Sequence, residues 1–286
     1  MQHSSWAQTP EPKEDTSWKT SYRSFAQKDN DIVHTKLVAS FDYAKSQMHG
    51  EVWLTVHPHF YANNTLVLDA KAMDIHAVSL SKNHKNLTYT YDSLLLTIQL
   101  DKTYKPTESY TIYIKYTAKP NEYKAKGSAA ITDAKGLYFI NPLGTDKSKP
   151  TQIWTQGETE GTSVWIPMID KPNQKTTQEF YLTVPSKYVS LSNGLLTKQV
   201  DNKNGTRLDV WKMDQPHSPY LFFIGIGDYA VIKDSYKGKE ISYYIEKAYE
   251  KEARKIYGKT PAMIAFYEKI LGIPFPWAKY AQISGR

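Results

Sequence analysis

Over residues 33–232, apolar side chains recur at every second position in short runs spaced roughly ten residues apart. This period constrains the fold more than any other feature of the chain. Successive residues of a strand point to opposite faces, so such runs mark strands with one buried face. Residues 36–42 and 51–56 alternate on either side of a polar turn containing Gly50. Residues 65–68, 75–80, 94–100, 110–116, 179–184, 207–211 and 220–226 continue the pattern. In 110–116 the tyrosines are assigned to one face, with Thr, Ile and Lys between them. Asn, Asp, Gly and Pro separate the runs, which is the punctuation of an antiparallel sandwich or open barrel.

After Lys233 the texture changes. One more strand is expected over 240–245. Residues 246–257 read as a helix with Glu250 four residues before Arg254, a favourable helical pair, and with Gly258 to end it. Thr260 as N-cap and Pro261 at the first helical position restart a second helix. Met263, Ile264, Phe266, Tyr267, Ile270 and Leu271 give it an apolar stripe, and Gly272 caps it. The expected organisation is a polar, disordered tail over 1–24, an N-terminal β domain over 25–234, and the opening of an α-containing domain over 235–286. These last residues, about fifty, are too few to bury that stripe, so the chain is expected to stop inside a domain.

Composition removes several classes of function. There is no Cys, hence no disulfide framework, thiolate metal site or thiol nucleophile. The net charge of +7 is carried mainly by scattered Lys, with Arg only at 23, 207, 254 and 286, so no nucleic-acid surface is read. The longest apolar run, 220–227, falls far short of the ~20 residues of a transmembrane helix. None of the eight His belongs to an H-E-x-x-H pair, and His57-Pro58-His59 reads as a strand end entering a turn rather than a metal site. One polar stretch matches neither strand nor helix: Trp154-Thr155-Gln156-Gly157-Glu158-Thr159-Glu160-Gly161. Polar groups on a loop held by a sheet are candidates for ligand contacts, although from the residues alone a solvated surface loop is the preferred reading.

Thr155-Gln156-Gly157-Glu158, followed by Asp170-Lys171-Pro172, resembles the signature of the aminopeptidase N family of zinc metallopeptidases, in which T-Q-x-E precedes a D-x-P step. Three further segments resemble that family in the same order. They are Val184-Pro185-Ser186-Lys187-Tyr188 with Ser192-Asn193-Gly194, then Ser218-Pro219-Tyr220-Leu221 with Gly227-Asp228-Tyr229, then Phe266-Tyr267-Glu268 with Gly272-Ile273-Pro274-Phe275-Pro276. The resemblance implies a saddle-shaped antiparallel β domain followed by the start of a thermolysin-like catalytic domain. In the family, G-A-M-E-N and H-E-x-x-H stretches come after the step at 274–280, and neither occurs in these 286 residues. Zinc is therefore implied for the full-length enzyme, with no ligand in this chain. The chain is expected to be inactive without its own C-terminal catalytic domain.

By the same resemblance, Glu158 and Gln156 would hold the α-ammonium of a peptide substrate, with a cis peptide bond following Glu158. Gly157 is read as widening the pocket for the first substrate residue. A periplasmic or extracellular location in a bacterium is implied, with the cytoplasm as the alternative. Two other readings are carried. One is a non-enzymatic β-sandwich module that binds carbohydrate or protein through some of its 22 Tyr and 7 Trp. The other is a family member that has lost catalysis.

Overall fold

The computed structural model describes residues 27–124 and 134–286, together with Thr20. Nearly all of the tail expected over 1–24 lies outside the described residues. In chain order the strands are β1 (Asn30–Asp42), β2 (Gln47–Pro58), β3 (Asn63–Asp69), β4 (Met73–Leu80), β5 (Tyr89–Tyr91), β6 (Leu95–Tyr104), β7 (Tyr110–Ala118), β8 (Leu137–Ile140) and β9 (Gln152–Thr155). They continue with β10 (Thr176–Pro185), β11 (Val189–Ser192), β12 (Leu195–Asp201), β13 (Thr206–His217), β14 (Ile224–Gly227), β15 (Tyr229–Tyr236), β16 (Lys239–Glu246) and β17 (Lys279–Ile283). Two helices follow β16, α1 (Ala253–Tyr257) and α2 (Thr260–Leu271).

The chain is mainly β, with several open sheets and no closed barrel among the described residues. The largest sheet has the order β12-β13-β10-β1-β2-β7-β4. All its pairings are antiparallel except β1 with β10. Three smaller sheets have the orders β11-β14-β9-β8, β3-β6-β5 and β15-β16-β17. One apolar core joins the large sheet to the first two of these. Leu37, Val52, Leu54, Ile112, Ile114 and Phe180 from the large sheet meet Leu66, Leu68, Leu96, Ile98, Ile153 and Ile224 from the others. Trp165, from the connection after β9, is fully buried among them and packs edge-on to Phe180, which is itself edge-on to Phe222. Burying side chains of this size removes roughly 150–250 Å² of each from water, so these aromatics dominate the local packing energy.

The alternation that marks the strands is visible in their burial. In β1 a register shift between Ile32 and His34 resets the period, so Val33 turns outward and Thr35, Leu37 and Ala39 turn inward. In β7 the structure corrects the assignment of the tyrosines. Tyr110, Ile112, Ile114 and Tyr116 share the core face, whereas Tyr113 points outward with Thr111 and Lys115. Tyr113 lies three positions after Tyr110, and an odd offset reverses the face. The run at 220–226 is also shorter than expected. Pro219–Leu221 forms a 3-10 turn, and pairing begins only at Ile224.

The C-terminal stretch departs from its reading at three points. Lys247–Glu252 is a 3-10 segment rather than an α-helix, and only Ala253–Tyr257 is α-helical. Arg254 accordingly pairs with Asp234 across to β15, at 3.5 Å, instead of with Glu250. Thr260 lies inside α2, where its hydroxyl donates to the Tyr257 carbonyl (2.7 Å), and Lys259 occupies the N-cap. Gly272 ends α2 in the left-handed region, at φ +69°, as its position implied. The apolar stripe of α2 is mostly uncovered. Ile264 is buried against Ile241 and Tyr243, but Met263, Phe266, Tyr267, Ile270 and Leu271 are 55–63% exposed.

Candidate functional site

The polar stretch after β9 forms a tight loop packed on glycine. The Gln156 N–H donates to the Gly136 carbonyl (2.9 Å), and the Gly161 N–H closes the loop on the Gly157 carbonyl (2.7 Å). The peptide bond between Glu158 and Thr159 is cis. A Cβ at Gly157 would lie 2.5 Å from both the Tyr220 carbonyl and the Thr162 hydroxyl. The direction in which a side chain would leave Gly157 is thus filled by the Tyr220 backbone and the Thr162 side chain. Glycine here permits close packing of two chain segments and does not open a pocket, which corrects the reading of Gly157 as a space-maker.

The flanks of this loop are pinned to the core. Thr162 donates to the Pro219 carbonyl (2.9 Å), and Ile224 N–H donates to the Thr155 hydroxyl (2.9 Å). The Tyr116 hydroxyl donates to the carbonyl of Trp165 (2.8 Å). Glu160 is clamped from two sides. Lys171 bonds its carboxylate at 2.7 Å, while Lys71 donates to its backbone carbonyl, also at 2.7 Å. Burial opposes the charge on Lys171, yet the bond to Glu160 and the nearby Asp69 and Asp170 hold its pKa above the usual lysine value.

Asp170, the acidic residue of the D-x-P step, is buried beneath the loop. Its Oδ2 accepts the Ser163 N–H at 2.8 Å, and its own N–H donates to Asp69 at 3.0 Å. Its other oxygen, Oδ1, has no partner among the described residues. Burial pushes its pKa up to about 6; the Ser163 bonds and Lys71 work against the shift, and Asp69 adds to it.

Against this fixed background, Glu158 stands out as exposed, with no hydrogen-bond or ion-pair partner among the described residues. Gln156 is half-buried, and its side-chain amide is likewise unbonded to the described residues. The two come from one loop, two residues apart. The anchoring set beneath them, Lys71, Lys171, Asp170 and Ser163, was not singled out from sequence. Its one legible member was Asp170, through the D-x-P step. The others come from the turn after β3 (Lys71), the 3-10 turn at Thr162–Val164 (Ser163) and the connection before β10 (Lys171), whose meeting depends on the tertiary fold.

The remaining sequence candidates resolve differently. His57 donates to the Pro58 carbonyl, whereas His59 pairs with Asp31, so the two imidazoles do not converge. Among the described residues, no group of three or more His, Cys, Asp or Glu is placed to hold a metal ion. The residues present do not fit a zinc centre, and no catalytic step is assigned to one here. Outward aromatics do form a row across the large sheet, with Trp53 against Tyr113 (5.0 Å between centroids) and Lys36 between Trp53 and Tyr181. Their polar ends are occupied, Tyr113 by Glu51 and Tyr181 by Glu179. No described helix is long and apolar enough to cross a membrane.

This several-sheet β structure carries T-Q-x-E on a loop anchored by the Asp170 carboxylate of the D-x-P step. The family model for the peptidase M1 N-terminal domain matches residues 29–221, and the chain belongs to that family. Leucine aminopeptidase 2 of the yeast Vanderwaltozyma polyspora is 25% identical over 273 residues, covering 94% of this chain and 38% of that protein. The crystal structure of an M1 zinc metallopeptidase from Deinococcus radiodurans superposes with a TM-score of 0.76 at 18% identity, over 91% of this chain and 57% of that one. Legionella pneumophila aminopeptidase A, solved in complex with aspartic acid, superposes with a TM-score of 0.74 at 19% identity, over 92% of this chain and 29% of that one. The chain therefore spans well under two thirds of the length of each of these relatives.

Proposed function

We propose that this chain is the amino-terminal part of a zinc aminopeptidase acting on peptides, and that its contribution is to hold the substrate α-ammonium through Glu158, assisted by Gln156. The observation that carries this reading is the contrast within one loop. Glu160 and Asp170 are committed to internal partners, whereas Glu158 is exposed and unpaired on a rigidly anchored turn. A carboxylate fixed in this way accepts a charge-assisted hydrogen bond from an ammonium, a contact of roughly 1.5–3 kcal/mol. It also selects for free N-termini, because a blocked amine leaves the carboxylate without a cation. The Gln156 carbonyl oxygen adds a second acceptor and keeps the site selective for a donor-only group.

Water activation and zinc binding belong, in this reading, to a catalytic domain that residues 235–286 begin. The β domain occupies 25–234, with β15 straddling the boundary. The chain alone is inactive, and the intact protein works in the periplasm or outside the cell. The aromatic row is the observation on which a carbohydrate- or protein-binding module would rest. The Lys36 ammonium already lies over Trp53 and Tyr181, and the tyrosine hydroxyls are tied to Glu51 and Glu179, which supports sheet packing as its use.

The test compares two proteins on an unblocked aminoacyl chromogenic substrate. The full-length protein should release N-terminal residues, lose activity to a chelator and regain it with zinc. The 286-residue chain should show no turnover with or without zinc. A full-length protein that is inactive when zinc-loaded, or active regardless of chelation, overturns the reading.

A further inference from the structure

A second cavity lies beyond the segment on which the Gln156 and Glu158 loop packs, because Tyr220, against Gly157, is followed by the cavity residue Leu221. A cavity of 370 Å³ opens between β11, β13 and the segment leading into β17, and no residue of the loop lines it. That volume falls within the range of small-molecule pockets, roughly 300–1,000 Å³. Its wall is aromatic and apolar, with Met213, Leu221, Phe223, Phe275, Trp277 and Tyr280. One cation stands in this wall. The Lys279 ammonium donates to the Ser192 carbonyl at 2.6 Å and lies 4.8 Å from the centroid of the Trp211 ring. Neither partner is an anion. Glu240 is opposite Lys279 in the β16–β17 register, but among the described residues Lys279 has no carboxylate within ion-pair distance.

A buried cation is ordinarily paired with a carboxylate, because removing it from water is costly. Here a carbonyl and an aromatic face meet only part of that need. Burial accordingly pushes the Lys279 pKa down to about 8, with Glu240 opposing the shift. Lys279 is thus a partly buried cation with no carboxylate in ion-pair contact, in a cavity wall that also carries the polar Ser192, Asn193 and His217. The fitting ligand has the complementary character: an anionic end for the ammonium and a flat apolar body for the aromatic wall.

We propose that this cavity binds a small aromatic monocarboxylate, its carboxylate paired with Lys279 and its ring held among Phe223, Phe275 and Trp277. The aromatic wall sets the body of the ligand, and the single cation sets its charge. An amine or a neutral amide of the same shape leaves Lys279 unpaired.

Titration calorimetry with 3-phenylpropionate, paired with NMR shift mapping, tests this on the 286-residue chain. Saturable binding is expected with a Kd of order 1 mM or tighter, with shifts centred on Trp277 and Lys279. The neutral analogue 3-phenylpropanamide should bind roughly 10- to 100-fold more weakly, the loss expected for a charge-assisted bond. Lys279→Met should bring the acid down to the level of the amide. Equal affinity for acid and amide, or the absence of saturable binding, overturns the proposal. If Lys279→Met fails to fold, the acid-to-amide comparison on the unaltered chain still decides the matter.

Discussion

Asp170→Asn is expected to change the pH dependence of stability in a direction set by one buried carboxyl. Asp170 is fully enclosed, accepts the Ser163 N–H through Oδ2, and leaves Oδ1 unpaired. Its pKa, raised chiefly by burial to about 6 from 3.8, is higher in the folded than in the unfolded chain. The folded state therefore holds that proton more tightly. The resulting stability is fully present below the unfolded value and is lost as pH rises through about 6. The shift corresponds to on the order of 3 kcal/mol at 1.36 kcal/mol per unit, of which about 2–3 kcal/mol falls between pH 4 and 8. Asparagine keeps an acceptor for Ser163 and cannot ionise. In urea unfolding at one-unit pH steps, the stability of Asp170→Asn minus that of the unaltered chain should climb by that amount from pH 4 to 8. All other titrating groups cancel in the difference. Parallel pH profiles would refute the reasoning, since they would mean that Asp170 titrates alike folded and unfolded.

Other consequences follow from the same contacts. Gly157→Ala should destabilise the chain by about 1–3 kcal/mol in thermal unfolding, because the new Cβ meets the Tyr220 carbonyl and Thr162 hydroxyl at 2.5 Å; an unchanged Tm would restore Gly157 as an open position. Asp209 behaves oppositely to Asp170: burial alone would raise its pKa, but Arg207, Ser190 and Gln199 hold it below the usual value, so its contribution is present above about pH 4 and lost on acidification. Asp209→Ala should therefore cost roughly 3 kcal/mol at pH 7 by leaving Arg207 and Ser190 without their acceptor, measured by denaturant unfolding. On α2, Phe266→Gln should stay within about 0.5 kcal/mol of the parent, whereas Ile264→Ala should cost about 2 kcal/mol or more, a contrast that thermal scans can read directly.

The strands that were legible in the sequence are those with one wet face. β1, β2, β7 and β10 alternate because each buries every second residue against the core. β12 was not legible, because it is an edge strand with all seven residues exposed and so carries no period. β8 and β9 are four residues each, too short to establish one. The α2 stripe was legible as a pattern, but a pattern does not say what covers it. At the candidate site, the polar stretch holding Glu158 and Gln156 was visible from composition, but the choice of these two residues and their role came from motif resemblance. Their immobilisation by Lys71, Lys171 and Asp170 depends on β3, β9 and β10 meeting in space, which no local spacing encodes.

The most direct test of the amine-anchor assignment is a substrate comparison in the full-length protein. The measurement is kcat/KM for a peptide with a free N-terminus and for its N-acetylated twin, with Glu158 intact and with Glu158→Ala. The account predicts a loss of roughly 2–4 kcal/mol, about 30- to 1,000-fold, on the free-amine peptide only, mainly through KM. The gap between the two peptides should largely close in the variant. Unchanged kinetics on the free-amine peptide, or an equal loss on both peptides, would contradict it.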